Sequence, residues 1–162
     1  MTKSTTKLIA QNTMIAAIYL VLTLINPISS GIFQFRLSTL LMAIPFFFPR
    51  LSYGLVIGVM VSNFFTGFGL IDVFGGFVIQ TLSLFVYNKL FKSAYLKSLL
   101  YGLTAGLVVT SVIFYVTNIP FETQAFALSV FSVAVSNTLI AMIGVFIVDK
   151  YLKKLLARYL VN

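Results

Sequence analysis

Six apolar runs separated by short polar breaks leave this chain few ways to fold. They cover approximately 8–26, 35–48, 52–66, 72–87, 97–117 and 124–148. A segment entering hydrocarbon must satisfy its own backbone N–H and C=O groups, so each run reads as a helix. About 20 residues cross the roughly 30 Å hydrocarbon layer, and fewer suffice where neighbours shield the segment. Between the runs, "NPISSG", "FPRLS", "TGFGL", "KLFKSAYLK" and "NIPFET" supply the Pro, Gly, Asn and charge that end helices. Hydrophobic residues make up 60% of the chain and charged residues 9%, against roughly 45–50% and about 25% in soluble domains. The mean hydropathy is +1.07. The expectation is a single all-α integral membrane domain over residues 1–162, a six-helix bundle with no second domain and no internal repeat. Lys3 and Lys7 ahead of Leu8 resemble the charged start of a signal peptide. The run that follows is long enough to span and has no small-x-small cleavage site after it, so it is expected to remain as the first helix.

The formal charge of +8 does not point to nucleic acid, because the basic residues fall between apolar runs instead of gathering on one solvated face. They sort by side of the membrane. With the N-terminus inside, the inner connections collect Lys3, Lys7, Arg50, Lys89, Lys92, Lys97, Lys150, Lys153, Lys154 and Arg158, ten of the eleven. Positively charged loops are retained in the cytoplasm, which predicts that both termini are cytoplasmic. Arg36 is the exception. It lies 14 residues before Arg50, only ~21 Å along a helix, so it is expected below the outer headgroups. A lone arginine there costs at least ~2.5–3.5 kcal/mol on insertion scales, and it should face water, a partner or a ligand. The alternative is a side chain that snorkels up to lipid phosphates.

Three carboxylates complete the charge inventory: Asp72 and Glu122 on the outer side, and Asp149 inside. Arg36, Asp72 and Glu122 could converge on a small polar or cationic solute, or form an ion-pair latch between loops. Asp72, Gly76, Gln80, Ser83 and Tyr87 share one face of the fourth helix, which places Gln80 ~12 Å deeper than Asp72. Asn63 ends the third span near the outer surface. Asn137 lies near mid-membrane beside the stripe Ala125, Ser129, Ser132 and Ser136. The serines suit helix packing and bonds back to their own backbone. Gln80 and Asn137 suit either bundle packing or a ligand. Small-residue rows, Gly54-Gly58-Ser62 and Gly102-Gly106-Thr110, mark close helix contacts, and Thr13 and Ala17 repeat that spacing on a first helix with few other polar groups. That face is a candidate surface for another protein.

Catalytic equipment is sparse. The chain has no GxxxxGK[ST] phosphate loop, no histidine, no cysteine and three carboxylates, so neither ATP hydrolysis, metal catalysis nor a nucleophile–base pair is expected of it. Transport or binding is the expected class.

"IFQFRLS", "PFFFP" and "NFFTGFGLIDVFGG", set among six short spans, resemble the QueT family, the substrate-binding S components of energy-coupling factor (ECF) transporters. The likeness is densest from Asn26 to Thr81. It implies a six-helix, multi-pass protein of the bacterial plasma membrane that captures a scarce nutrient from outside. Such a protein docks on a membrane-embedded coupling subunit and two ATPase subunits, which use the ATP, and needs no cofactor of its own. The implied substrate is a queuosine precursor such as preQ1, 7-aminomethyl-7-deazaguanine. Thr13 and Ala17 match the positions on the first helix that meet the coupling subunit. The groups such a ligand requires are present in Arg36, Asp72, Gln34, Asn63, Gln80, Glu122 and Asn137, with Phe33, Phe35 and Phe68 as candidates to sandwich its ring. In one respect the chain departs: the family pattern continues "FRxSE", and the last position here is Thr39. If that acid reads the guanine edge or the amine, Asp72 or Glu122 must substitute for it. The alternatives are an S component for another nutrient, such as a pyrimidine, folate or pantothenate, or an accessory membrane protein.

Overall fold

A computed structural model of the chain describes residues 3–26 and 35–160. Among these residues every regular element is helical. Helix α1 (Lys3–Leu24) is followed, after Arg36, by a 3-10 turn (Leu37–Met42) that runs into α2 (Ala43–Phe47). A second 3-10 turn (Pro49–Leu51) leads into α3 (Ser52–Phe64). Helix α4 (Leu70–Thr81) continues through a π-helical stretch (Leu82–Tyr87) into α5 (Asn88–Leu90). Helix α6 (Ala94–Val116) precedes α7 (Thr123–Ile147), which continues through a second π stretch (Val148–Leu152) into α8 (Lys153–Leu160).

Four of these helical stretches are long and apolar enough to cross a membrane: Thr5–Leu24, Leu70–Leu90, Ala94–Val116 and Thr123–Leu160. The stretches expected over 35–48 and 52–66 are shorter. Leu37–Phe47 rises roughly 20 Å, and the 13 residues of α3 rise about as far. The sixth helix, expected to end at 148, instead runs 38 residues to Leu160, or ~57 Å, well beyond one hydrocarbon thickness. Its last part, α8, is amphipathic. Leu152, Leu156 and Leu160 pack against the core while Lys153 and Lys154 are exposed, and the Tyr159 carbonyl accepts from Gln11 Nε2 at 3.1 Å. That bond ties the end of the chain to its beginning.

Small residues set the helix spacing where the sequence pattern predicts it. A Cβ on Gly54 would collide with the Asn12 backbone and one on Gly58 would stand 2.9 Å from Ala16 Cα, so α1 and α3 touch backbone to backbone. Asn12 then bonds across the seam, accepting from the Gly54 N–H at 2.6 Å and donating to the Arg50 carbonyl at 3.1 Å. Gly102 and Gly106 lie equally close to Thr138 and Ala134, joining α6 to α7. Helix α6 starts at Ala94 instead of Lys97, which places Lys97, expected at the boundary between the inner connection and the span, a turn inside the helix. It is buried there, donating to Asn88 Oδ1 at 2.5 Å and to the Phe46 carbonyl at 3.4 Å.

Candidate functional site

At the opposite end of the bundle from Lys97, the chain enters the second helical stretch through Arg36, whose extended backbone precedes the 3-10 turn. The next polar side chains point into protein. Ser38 and Thr39 are fully buried, and Ser38 Oγ accepts from Thr23 Oγ1 of α1 at 2.7 Å. So anchored, the turn draws Arg36 inward until 6% of it is exposed. Its Nη1 donates to Asn63 Oδ1 at 2.9 Å. Asn63, near the C-terminal end of α3, in turn donates from Nδ2 to the Asp72 carbonyl at 3.0 Å. The Asp72 carboxylate, in the first turn of α4 where the helix dipole favours an anion, accepts from Thr66 Oγ1 at 2.7 Å. A single amide thus links the guanidinium to the start of α4.

Gly76 makes that link possible. A Cβ there would stand 2.5 Å from Asn63 Nδ2 and 3.0 Å from Val59 Cγ1. Any larger residue would push the amide off the Asp72 carbonyl.

The Arg36–Asn63 pair roofs a small cavity of about 20 Å³, whose other polar lining is Tyr19 of α1, Gln80 of α4, Tyr101 of α6 and Asn137 of α7. Asn137 Nδ2 donates to the Val133 carbonyl at 2.9 Å, and its Oδ1 lies 3.5 Å from Thr39 Oγ1. Tyr101 lies beside Thr39. Gln80 is 2% exposed, and its Oε1 has no hydrogen-bond partner among the described residues. Such a buried carbonyl carries a desolvation cost of about 1–3 kcal/mol unless something donates to it. The cavity holds about one water molecule, whereas pockets for drug-sized ligands run to about 300–1,000 Å³, so admitting a bicyclic ring requires its walls to part. A larger groove of about 600 Å³ lies between α4 and α6, but it is lined by Ile71, Phe74, Val78, Leu107 and similar side chains. Its polar side chains are Ser111, whose hydroxyl is bonded back to the Leu107 carbonyl, and Tyr115, and the apolar remainder suits lipid tails.

Of the residues that the sequence nominates, Arg36, Asn63, Gln80 and Asn137 line one cavity. Asp72 lies a hydrogen bond away. Glu122 stands apart, exposed at the start of α7. Gln34 and Phe33 lie outside the described residues. Phe35 is exposed, and Phe68 packs half-buried against the core and is not among the residues that line the cavity. The rings at the cavity are instead Tyr19 and Tyr101, both 4% exposed or less. Neither they nor the contacts of Thr39 follow from a charge inventory. The available signal is that a tyrosine buried in an apolar helix needs a partner for its hydroxyl, and that Tyr101, Ala105 and Val109 fall at helical spacing beside the Gly102-Gly106 row. Thr13 and Ala17 are exposed on α1, Thr13 at the edge of a groove that it lines with Tyr53 and Ile57 of α3.

The arrangement can grip a flat polar solute through one guanidinium, three amides and two phenols. It offers little for bond-making chemistry: no group of three His, Cys, Asp or Glu residues exists among the described residues. Compared with known proteins, the chain matches a family model described as "QueT transporter" over residues 9–154. No curated protein and no solved structure matches it.

Proposed function

Because the chain belongs to the QueT transporter family, and so has a role in membrane transport, we propose that it is the substrate-binding S component of an ECF-type importer. In this reading it spans the plasma membrane of a bacterium six times with both termini inside. It captures a 7-deazaguanine precursor of queuosine, the class to which preQ1 belongs, from the outer face. ATP is used by two ATPase subunits joined through a membrane-embedded coupling subunit. The exposed Thr13–Ala17 face of α1 is the surface offered to that coupling subunit.

The observation that carries this reading is the small polar cavity beneath Arg36, whose polar lining residues are all buried. Burying a guanidinium, three amides and two phenols at one point of an apolar bundle is costly unless they bond one another or a ligand. They only partly bond one another, since Gln80 Oε1 is left over. A guanine-type edge complements the set: its carbonyl accepts from Arg36 or Asn63, and its ring N–H donates to Gln80 Oε1. The polybasic end that carries Arg50, Lys153 and Lys154 would face the cytoplasm.

The test has two arms. Mass spectrometry of the small molecule that copurifies with detergent-extracted protein should identify a 7-deazaguanine. Equilibrium binding of preQ1 should then be nanomolar to low micromolar, and Arg36→Ala should weaken it about 10- to 100-fold, as expected for one charge-assisted hydrogen bond. Binding unchanged in a well-folded Arg36→Ala protein would remove the site.

A further inference from the structure

We infer that the cavity selects a ligand that is uncharged where it is enclosed, so that among 7-deazaguanines the chain favours a neutral 7-substituent over an aminomethyl cation. This rests on the reading of the site given above and refines its substrate class. The chain has three carboxylates, and the structure accounts for all of them. Asp149 is paired with Lys153 at the far end of the bundle. Glu122 is exposed at the start of α7. Asp72 is buried, but it lies in the layer above the cavity, where its carboxylate accepts from Thr66. The cavity wall therefore carries a guanidinium, amides and hydroxyls, and no acid.

An ammonium enclosed there would surrender its hydration without gaining a counterion, and the one charge in the wall has its own sign. A neutral ring meets no such penalty. Its carbonyl takes the Arg36 or Asn63 donor, and its N–H reaches Gln80 Oε1, the one carbonyl of the wall with no donor among the described residues. Thr39 matters here as well. Fully buried against Asn137 and Tyr101, it is a hydroxyl at a point where an acid would put a negative charge beside the cavity.

The experiment compares two ligands with the same guanine edge, 7-cyano-7-deazaguanine and 7-aminomethyl-7-deazaguanine, on the full-length purified protein at neutral pH. The cyano compound should bind at least about tenfold tighter, the scale of one uncompensated charge partly screened by bound water. Asn137→Asp, nearly the same shape as the native residue, adds the missing acid and should shift the ratio at least about tenfold toward the amine. Gln80→Glu should do the same, and either variant suffices if the other is unstable. An amine that binds as tightly as the nitrile or tighter, with that preference lost in Asp72→Asn, would overturn the inference and assign the cation to Asp72. The proposed function would then stand. Failure of both compounds to bind would instead refute the assignment of the substrate class itself, and the inference with it.

Discussion

Replacing Asn63 by alanine tests whether the site is held together as the geometry shows. Asn63 is 2% exposed and spends its amide on two neighbours, accepting from Arg36 at 2.9 Å and donating to the Asp72 carbonyl at 3.0 Å. A hydrogen bond to a charged group is worth about 1.5–3 kcal/mol and a neutral one about 0.5–1.5 kcal/mol. Together they put the stability cost at about 2–4.5 kcal/mol, part of which water entering the truncated site recovers. Only the Arg36 share bears on the ligand. If a wandering guanidinium costs its full 1.5–3 kcal/mol, affinity for the deazaguanine drops about 10- to 100-fold. The assay is a double-mutant cycle by calorimetric titration with Arg36→Ala, Asn63→Ala and the pair. Residues in one hydrogen-bonded network couple strongly, so the second substitution should add little to the first. Strict additivity of the two losses would refute the claim that Asn63 acts by placing Arg36.

Other perturbations separate the site from its scaffold. Gly76→Ala should displace the Asn63 amide and mimic Asn63→Ala in binding, with an added packing cost of about 1–3 kcal/mol seen as a lower melting temperature in detergent. Gly54→Leu would drive a side chain into the Asn12 backbone, so loss of the monodisperse folded protein in size-exclusion chromatography is expected before any ligand is added. Lys97→Met leaves Asn88 Oδ1 without its donor, an unpaired polar group worth about 1–3 kcal/mol. Thermal stability should fall, whereas ligand affinity, read at the other end of the bundle, should stay within about twofold. Ala17→Trp, on the exposed face of α1, should leave ligand binding intact and prevent co-purification with the coupling module.

The elements were legible because hydrocarbon leaves a backbone no choice but to bond itself: apolar length and Pro/Gly/charge breaks marked each helix. The stripe Asp72-Gly76-Gln80-Ser83 was legible for a similar reason, since 3.6-residue periodicity puts those positions on one face, and all four are buried. Convergence was harder to read. That Asn63 would stand between Arg36 and Asp72 depends on the crossing of α3 and α4, which Gly76 permits and which no local pattern encodes. Glu122 looked equivalent to Asp72 by charge and by side of the membrane, yet it sits where α7 begins, exposed and apart from the cavity. Lys97 looked like a cation at the span boundary because positive charge usually ends a span. Its helix begins three residues earlier, and the Asn88 side chain and the Phe46 carbonyl give its ammonium a place to go. The reach of the last helix to Leu160 is hidden in the sequence for the opposite reason: Asp149 and Lys150 resemble a stop, but a π-helical stretch carries the backbone through them.

The most direct measurement is an experimental structure of the protein with its deazaguanine bound. The account predicts density for the ring beneath Arg36, in a widened cavity, with Arg36 or Asn63 bonded to its carbonyl and Gln80 Oε1 within hydrogen-bonding distance of a ring N–H. Density in the apolar groove between α4 and α6, or beside Glu122 with the Arg36 cavity unchanged, would contradict it.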